Sequence, residues 1–333
     1  MHLLCIKTKT FSLLFVTILL SSIYTVESAT VDWTNINNNQ NIGSFFGVAG
    51  TSSEIVAVGI DGRISTRNNA TGVWTSQTFA GNQDFRDVIY ANGQYVTVRE
   101  GGGIMTSPDG LTWTARTSGT TADIRALLWD GSRYLAAGQN GKILDSTDGI
   151  SWNSLNNSGP FINSLAYSGS EYLAAGGFGT LRSSDGNVWS SPSTPPPGQS
   201  YEAATWTGSK FLIGGLGFNS TPTLYESTDG QQWALSDNSF LWNIESFAQT
   251  TDTTWMVGDN AFIFSNSGSG WEDQYPNPKG NEFFMDITVA EDQLVVAGFN
   301  DNVFATTIPE PSDFALVLAV FSFMALLIKR KES

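Results

Sequence analysis

The chain of 333 residues has a single cysteine, Cys5, and a single histidine, His2. Both stand in the first 29 residues, ahead of everything that reads as a folded body. A body lacking both residue types has no disulfide, no thiol nucleophile, no thiolate or imidazole zinc site and no Ser–His relay. Positive charge is scarce as well: 16 Lys+Arg face 31 Asp+Glu, for a formal net charge of −15. Five of those 16, Lys7, Lys9, Lys329, Arg330 and Lys331, sit in the terminal segments, so the body is more acidic still. That balance argues against recognition of nucleic acid or anionic lipid by charge. Glycine (34) and tryptophan (11) are plentiful while charged residues make up only 14%, a combination that points to an all-β protein rich in turns.

The strongest internal signal is self-similarity. "RYLAAGQNGKILDSTDGISW" at 133–152 is echoed by "EYLAAGGFGTLRSSDGNVW" at 171–189, with looser copies ending at Trp113 and Trp233 and more degraded ones ending at Trp74 and Trp271. A seventh copy starts at Gln293 and stops before any tryptophan, but Trp33 precedes the first copy. Each copy follows another apolar stretch that ends in a turn, such as "FRDVIYANG" or "IRALLWDGS". Four short strands in a unit of about 40 residues is the signature of a β-propeller blade. The expectation is an all-β, seven-bladed propeller over residues 30–307, closed by an N-terminal strand lying beside residues 303–307.

The spacing Ser-x-Asp-Gly-x-x-Trp, carried by Asp109, Asp148, Asp185 and Asp229, resembles the Asp-box of sialidases and other propellers. The wider repeat resembles the photosystem II stability/assembly factor family of plants and cyanobacteria. The resemblance implies a hairpin turn between third and fourth strands. Its Asp accepts backbone N–H groups, its Gly takes a positive φ and its Trp wedges between blades. On this reading the four acids and Trp33, Trp74, Trp113, Trp152, Trp189, Trp233 and Trp271 are scaffold.

Both ends read as targeting segments. Residues 1–29 place lysines ahead of "FSLLFVTILLSS" and small residues, the layout of a secretory signal peptide handled by the Sec machinery, with an uncleaved anchor as the alternative. Residues 308–333 hold Pro309-Glu310-Pro311, an apolar run at 314–328 and Lys329-Arg330-Lys331. That order resembles the PEP-CTERM sorting signal. It implies a transient transmembrane helix, an exosortase partner and delivery to the envelope surface or exterior of a Gram-negative-type bacterium. An ordinary C-terminal anchor would give the same topology.

Ligands of propellers usually meet the loops between second and third strands. Asp61, Arg63, Arg99, Glu100, Asn140, Phe178, Phe218, Asp259 and Asp301 fall there and form the expected ligand face. Amides, carboxylates and rings suit polysaccharide, although ordinary loops share that composition. Three converging arginines of a sialidase are not evident. The leading expectation is a non-catalytic binding module for extracellular polysaccharide or a protein partner, with no cofactor or metal. A glycoside hydrolase using loop carboxylates and an assembly factor for a membrane complex stand as alternatives.

Overall fold

The computed structural model describes residues 31–308, except 39, 178, 195, 197–199, 217–220, 238 and 276–281. The expected signal peptide at 1–29, Phe178, Phe218 and the tail from Pro309 onward, with its helix at 314–328, lie outside the described residues. Among the described residues no helix is long and apolar enough to cross a membrane.

Every repeat opens with an innermost strand: Phe45–Gly50, Phe85–Ala91, Ile124–Trp129, Phe161–Tyr167, Ser200–Trp206, Ile244–Gln249 and Phe284–Ala290. Each packs against the next, and the last packs against the first. Second strands such as Glu54–Gly59 and Tyr134–Gly138 are buried along almost their whole length, because neighbouring repeats cover both of their faces. They therefore read as unbroken apolar runs rather than as alternation. The core is a series of seams between repeats. In one, Val56, Val58 and Ile64 meet Phe85, Val88, Tyr95 and Met105 of the next repeat, with Trp113 packed against them.

The strands form five separate four-stranded sheets, not the seven expected. The strands of the fourth and fifth repeats share one seven-stranded sheet, joined through the single pair Gly177↔Ser200. Among the described residues the fourth repeat contributes three strands, Phe161–Tyr167, Tyr172–Gly177 and Gly179–Ser183. The outer segment of the fourth repeat holds Pro192, Pro195, Pro196 and Pro197. Proline cannot donate to a ladder, and the described part of that segment meets the third strand of its own repeat in the isolated bridge Arg182↔Ser190. The two ends of the body meet in another sheet: Thr34–Asn35 pairs antiparallel with Val303–Thr307, Thr34 opposite Ala305 and Asn35 opposite Phe304.

Candidate ligand-binding face

The third strand of the second repeat starts beside Arg99 and ends at Ser107 beside Tyr95, so its Ser-x-Asp-Gly turn lies at the end away from Phe85 and the loop 100–102. At that turn the Asp109 carboxylate accepts the N–H groups of Leu111 at 2.9 Å and Thr112 at 2.7 Å. Asp148, Asp185 and Asp229 bond the matching amides of their own turns. Those N–H bonds hold all four carboxyls below the usual carboxylate range, Asp185 at about 2. Gly110, Gly149, Gly186 and Gly230 take φ of 67° to 72° there. The indoles of Trp113, Trp152 and Trp189 donate to the glycine carbonyls at 2.8 to 3.0 Å. Trp152, Trp189, Trp233 and Trp271 pack into successive inter-repeat seams, Trp74 belongs to the seam between last and first repeats, and Trp33 meets Trp255 edge-on at 6.3 Å. In each of these acids Oδ1 is committed to the amides of its own turn.

The opposite end is chemically different. Near its start each innermost strand carries a β-bulge, where one residue drops out of the ladder: between Phe45 and Gly47, Phe85 and Asp87, Ile124 and Ala126, Ile162 and Ser164, Tyr201 and Ala203, Ile244 and Ser246, and Phe284 and Asp286. A bulge re-aims its side chain. The seven skipped residues, Phe46, Arg86, Arg125, Asn163, Glu202, Glu245 and Met285, all line one axial cavity of about 240 Å³. In six repeats the residue facing the bulge is glycine. A Cβ at Gly138 would fall 2.0 Å from the Asp123 carbonyl oxygen, and one at Gly298 would fall 1.7 Å from that of Phe283. In the second repeat that position is Arg99.

The ring is polarised. Arg86 pairs with Asp84 at 3.1 Å and with Glu100, and its guanidinium lies 4.3 Å from the Phe46 ring centroid. Arg125 lies 4.5 Å from the centroid of Phe161 and has no ion pair among the described residues. Burial, and then the nearby Arg86 charge, lower its pKa, although Glu202, Asp123 and Glu100 oppose that. Across the axis, burial pushes the Glu245 carboxyl up to about 8, helped by the charges of Glu202 and Asp259. Asp259 is raised by burial and then by Glu202. Deeper in the cavity burial raises Asp87 to about 7, with Asp286 adding to it, and Asp286 itself to about 6.

The loop residues expected to form the ligand face divide. Glu100 joins the mouth through Arg86, and Asp259 through the Glu202 and Glu245 charges. Asp61 and Asn140 occupy left-handed positions in their short 3₁₀ turns, at φ 56° and 59°, and the Asp61 N–H donates to Asp84. Arg63 lies over Gly43, whose added Cβ would meet the arginine stem. Arg99 folds back over Phe85, 5.6 Å from its centroid, and donates to the Ala80 carbonyl. Asp301 accepts the Gly43 N–H at 2.5 Å and so ties the last repeat to the first. Loop composition missed Arg86, Arg125, Glu202 and Glu245, because they sit inside strands. The legible signal was the glycine near the end of six of the seven second strands ("AVG", "AAG", "VAG"), which marks where a facing backbone bulges inward.

Ring-packed inner strands, sheets radiating outward and an axial mouth define a β-propeller. No family model matches the chain, and no curated protein matches it. Solved structures do. YCF48 bound to D1 peptide aligns at 15% identity over 86% of this chain and 97% of that one, with a TM-score of 0.66. YCF48 from Cyanidioschyzon merolae aligns at 13% over 83% and 98%, with a TM-score of 0.63. A catalytically inactive virginiamycin B lyase from Staphylococcus aureus, with quinupristin, aligns at 12% over 84% and 99%, with a TM-score of 0.71. At these identities the likeness is one of fold, and at that level it matches the resemblance to assembly-factor propellers read from the repeats.

Proposed function

We propose that this propeller is a non-catalytic binding module that engages a polypeptide partner at its axial mouth, with Arg125 receiving an acidic side chain or terminal carboxylate. The observation that carries this reading is the state of Arg125: a half-buried guanidinium on an aromatic face, in an open cavity, with no carboxylate paired to it among the described residues. A desolvated cation without a partner is held at a cost that an incoming anion recovers, and guanidinium takes carboxylate in two-point geometry. A neighbour of the same fold carries a bound peptide, which supports a polypeptide ligand in general. On this reading the seven-stranded sheet is two blades sharing one residue pair, so the mouth is built by seven blades.

The test is a titration of the full chain with blocked peptides bearing one glutamate, one glutamine or one lysine. The glutamate peptide binds, and Arg125→Gln weakens it about tenfold or more while leaving the unfolding midpoint in place. Selective binding of neutral glycans instead would move the function to polysaccharide.

A hydrolase is the second reading, favoured by one observation: Glu245 is pushed to about 8 beside Glu202 and Asp259, the environment of a general acid. A glycan hydrolysis screen with Glu245→Gln decides it, since turnover lost in that variant would make the protein an enzyme.

We further propose that residues 1–29 and 308–333 direct Sec export and exosortase sorting, placing the propeller outside the inner membrane. Pro309-Glu310-Pro311 and the basic end Lys329-Arg330-Lys331 support this. Intact-mass measurement of the exported protein, with Pro309 and Pro311 intact or changed to alanine, tests it. An unprocessed C-terminus in the exported fraction would remove the sorting proposal.

A further inference from the structure

A larger cavity than the axial one, about 370 Å³, opens on the rim between the fifth and sixth repeats. Phe240, Trp242, Phe262, Phe264, Trp271 and Tyr275 line it, together with the carboxylates Asp237 and Asp273. Phe240 meets Phe264 and Trp271 edge-on at 5.7 and 6.3 Å, so the rings brace one another around a hollow instead of filling it. Leu241, between two of the lining aromatics, is 78% exposed.

Among the described 3₁₀ turns, the one at this place in the ring differs from the others. The residue following the 3₁₀ turn is Arg63 in the first repeat, Gly103 in the second and Lys142 in the third, but Phe262 in the sixth. Where two repeats put a cation, this one puts a ring. Asp237 and Asp273 each use one oxygen to accept a nearby backbone N–H, from Ser239 at 2.7 Å and Tyr275 at 2.9 Å. Neither forms an ion pair among the described residues, and the described lining contains no basic side chain.

We propose that this pocket holds the cationic side chain, arginine or lysine, of a polypeptide partner. Aromatic faces attract a cation through their quadrupoles, and two carboxylates without an ion pair among the described residues add the charge that fixes its sign. The lining also holds Ser239 and Asn260, so the sign of the charge, and not a lack of donors, is what favours a cation over a neutral sugar, and a methyl hexoside serves as the competitor in the test. The inference rests on the reading above that the partner is a polypeptide, but the rim pocket selects the opposite charge from the axial mouth. The two sites are therefore probed by different peptides and can fail separately.

The experiment is a fluorescence and calorimetric titration of the full chain with acetyl-Gly-Arg-Gly-amide, acetyl-Gly-Lys-Gly-amide and the glutamine counterpart. Lys279, four residues past Tyr275 in sequence, is also changed to alanine in a parallel set, so that the chain supplies no competing cation of its own. Saturable binding of the arginine and lysine peptides, weakening with salt, and no binding of the glutamine peptide are expected in at least one set. The double variant Asp237→Asn/Asp273→Asn and the variant Trp242→Ala should each weaken the arginine peptide about tenfold. Phe262→Lys, which installs the residue type of the third repeat, should abolish binding in protein that circular dichroism shows to be folded. Equal binding of the glutamine peptide, displacement by a methyl hexoside, or arginine binding unchanged in the carboxamide variant would overturn the proposal.

Discussion

The carboxylate of Asp87 accepts the backbone N–H of Leu127 at 2.7 Å, across the boundary between the second and third repeats. Asp286 makes the matching bond to Val48 at 2.8 Å, and the Ser164 hydroxyl accepts the Ala204 N–H at 3.0 Å. Side chains of one innermost strand thus satisfy the inward-facing amides of the next. The propeller is stapled at its axis as well as packed along its seams.

Changing Asp87 to alanine leaves the Leu127 amide buried without an acceptor. The expected loss is about 1–3 kcal/mol, and Asp87→Asn should lose less because its amide oxygen still accepts. Urea unfolding of the two variants measures both. An alanine variant as stable as the parent would show that the bond does not hold the repeats together.

The same carboxylates set a pH dependence. Asp87, Asp286 and Glu245 have folded-state values of about 7, 6 and 8, above the ordinary 3.8, 3.8 and 4.5. Between those limits the folded state holds more protons than the unfolded one, so stability falls as pH rises through the raised values. The turn acids Asp109, Asp148, Asp185 and Asp229 act in the other sense. Their contribution is present above the unfolded value and is lost as pH falls below it. Stability should therefore peak near pH 4, about the unfolded values, and decline toward pH 8, and Asp87→Asn should flatten the alkaline side. A pH series of urea midpoints is the check, and a maximum at pH 8 would contradict it.

Trp152 fills the seam between the second and third repeats. Trp152→Ala should lower stability by about 3 kcal/mol, the scale for emptying a packed aromatic site. Asp109→Ala should also lower stability, through the freed Leu111 and Thr112 amides, yet leave acidic-peptide binding at the axial mouth unchanged in folded protein. Thermal unfolding and peptide titration on the same samples separate the two effects.

Removing residues 31–37 deletes the strand that covers Val303–Thr307. The exposed edge presents unpaired backbone groups to other molecules. Light scattering should show self-association, and unfolding should lose cooperativity. A monomeric truncation with the parental midpoint would show that the ring holds without that strand.

The propeller was legible in the chain because its signals are local: an apolar second strand, a glycine loop and an Asp-Gly turn recurring at blade length. The number of separate sheets was not. It depended on the one pair Gly177↔Ser200, which leaves no periodic trace. The mouth was only half legible. Glu100 and Asp259 were expected at the ligand face on loop chemistry. Arg99 and Asp301 had the same chemistry but are occupied with Phe85 and Gly43. Arg86, Arg125, Glu202 and Glu245 stand in strands, where a charged residue reads as solvent-facing until the bulge is known.

A bulged residue belongs to no ladder pair, so its identity is uncoupled from strand register. Around the axis this leaves seven addresses, one per repeat, that can be rewritten singly without disturbing the sheets behind them. The present inscription runs Phe, Arg, Arg, Asn, Glu, Glu, Met, with cations on one arc and carboxylates on the facing one. An engineer wishing to retarget the scaffold would edit that short inscription, and would keep the six glycines opposite it untouched.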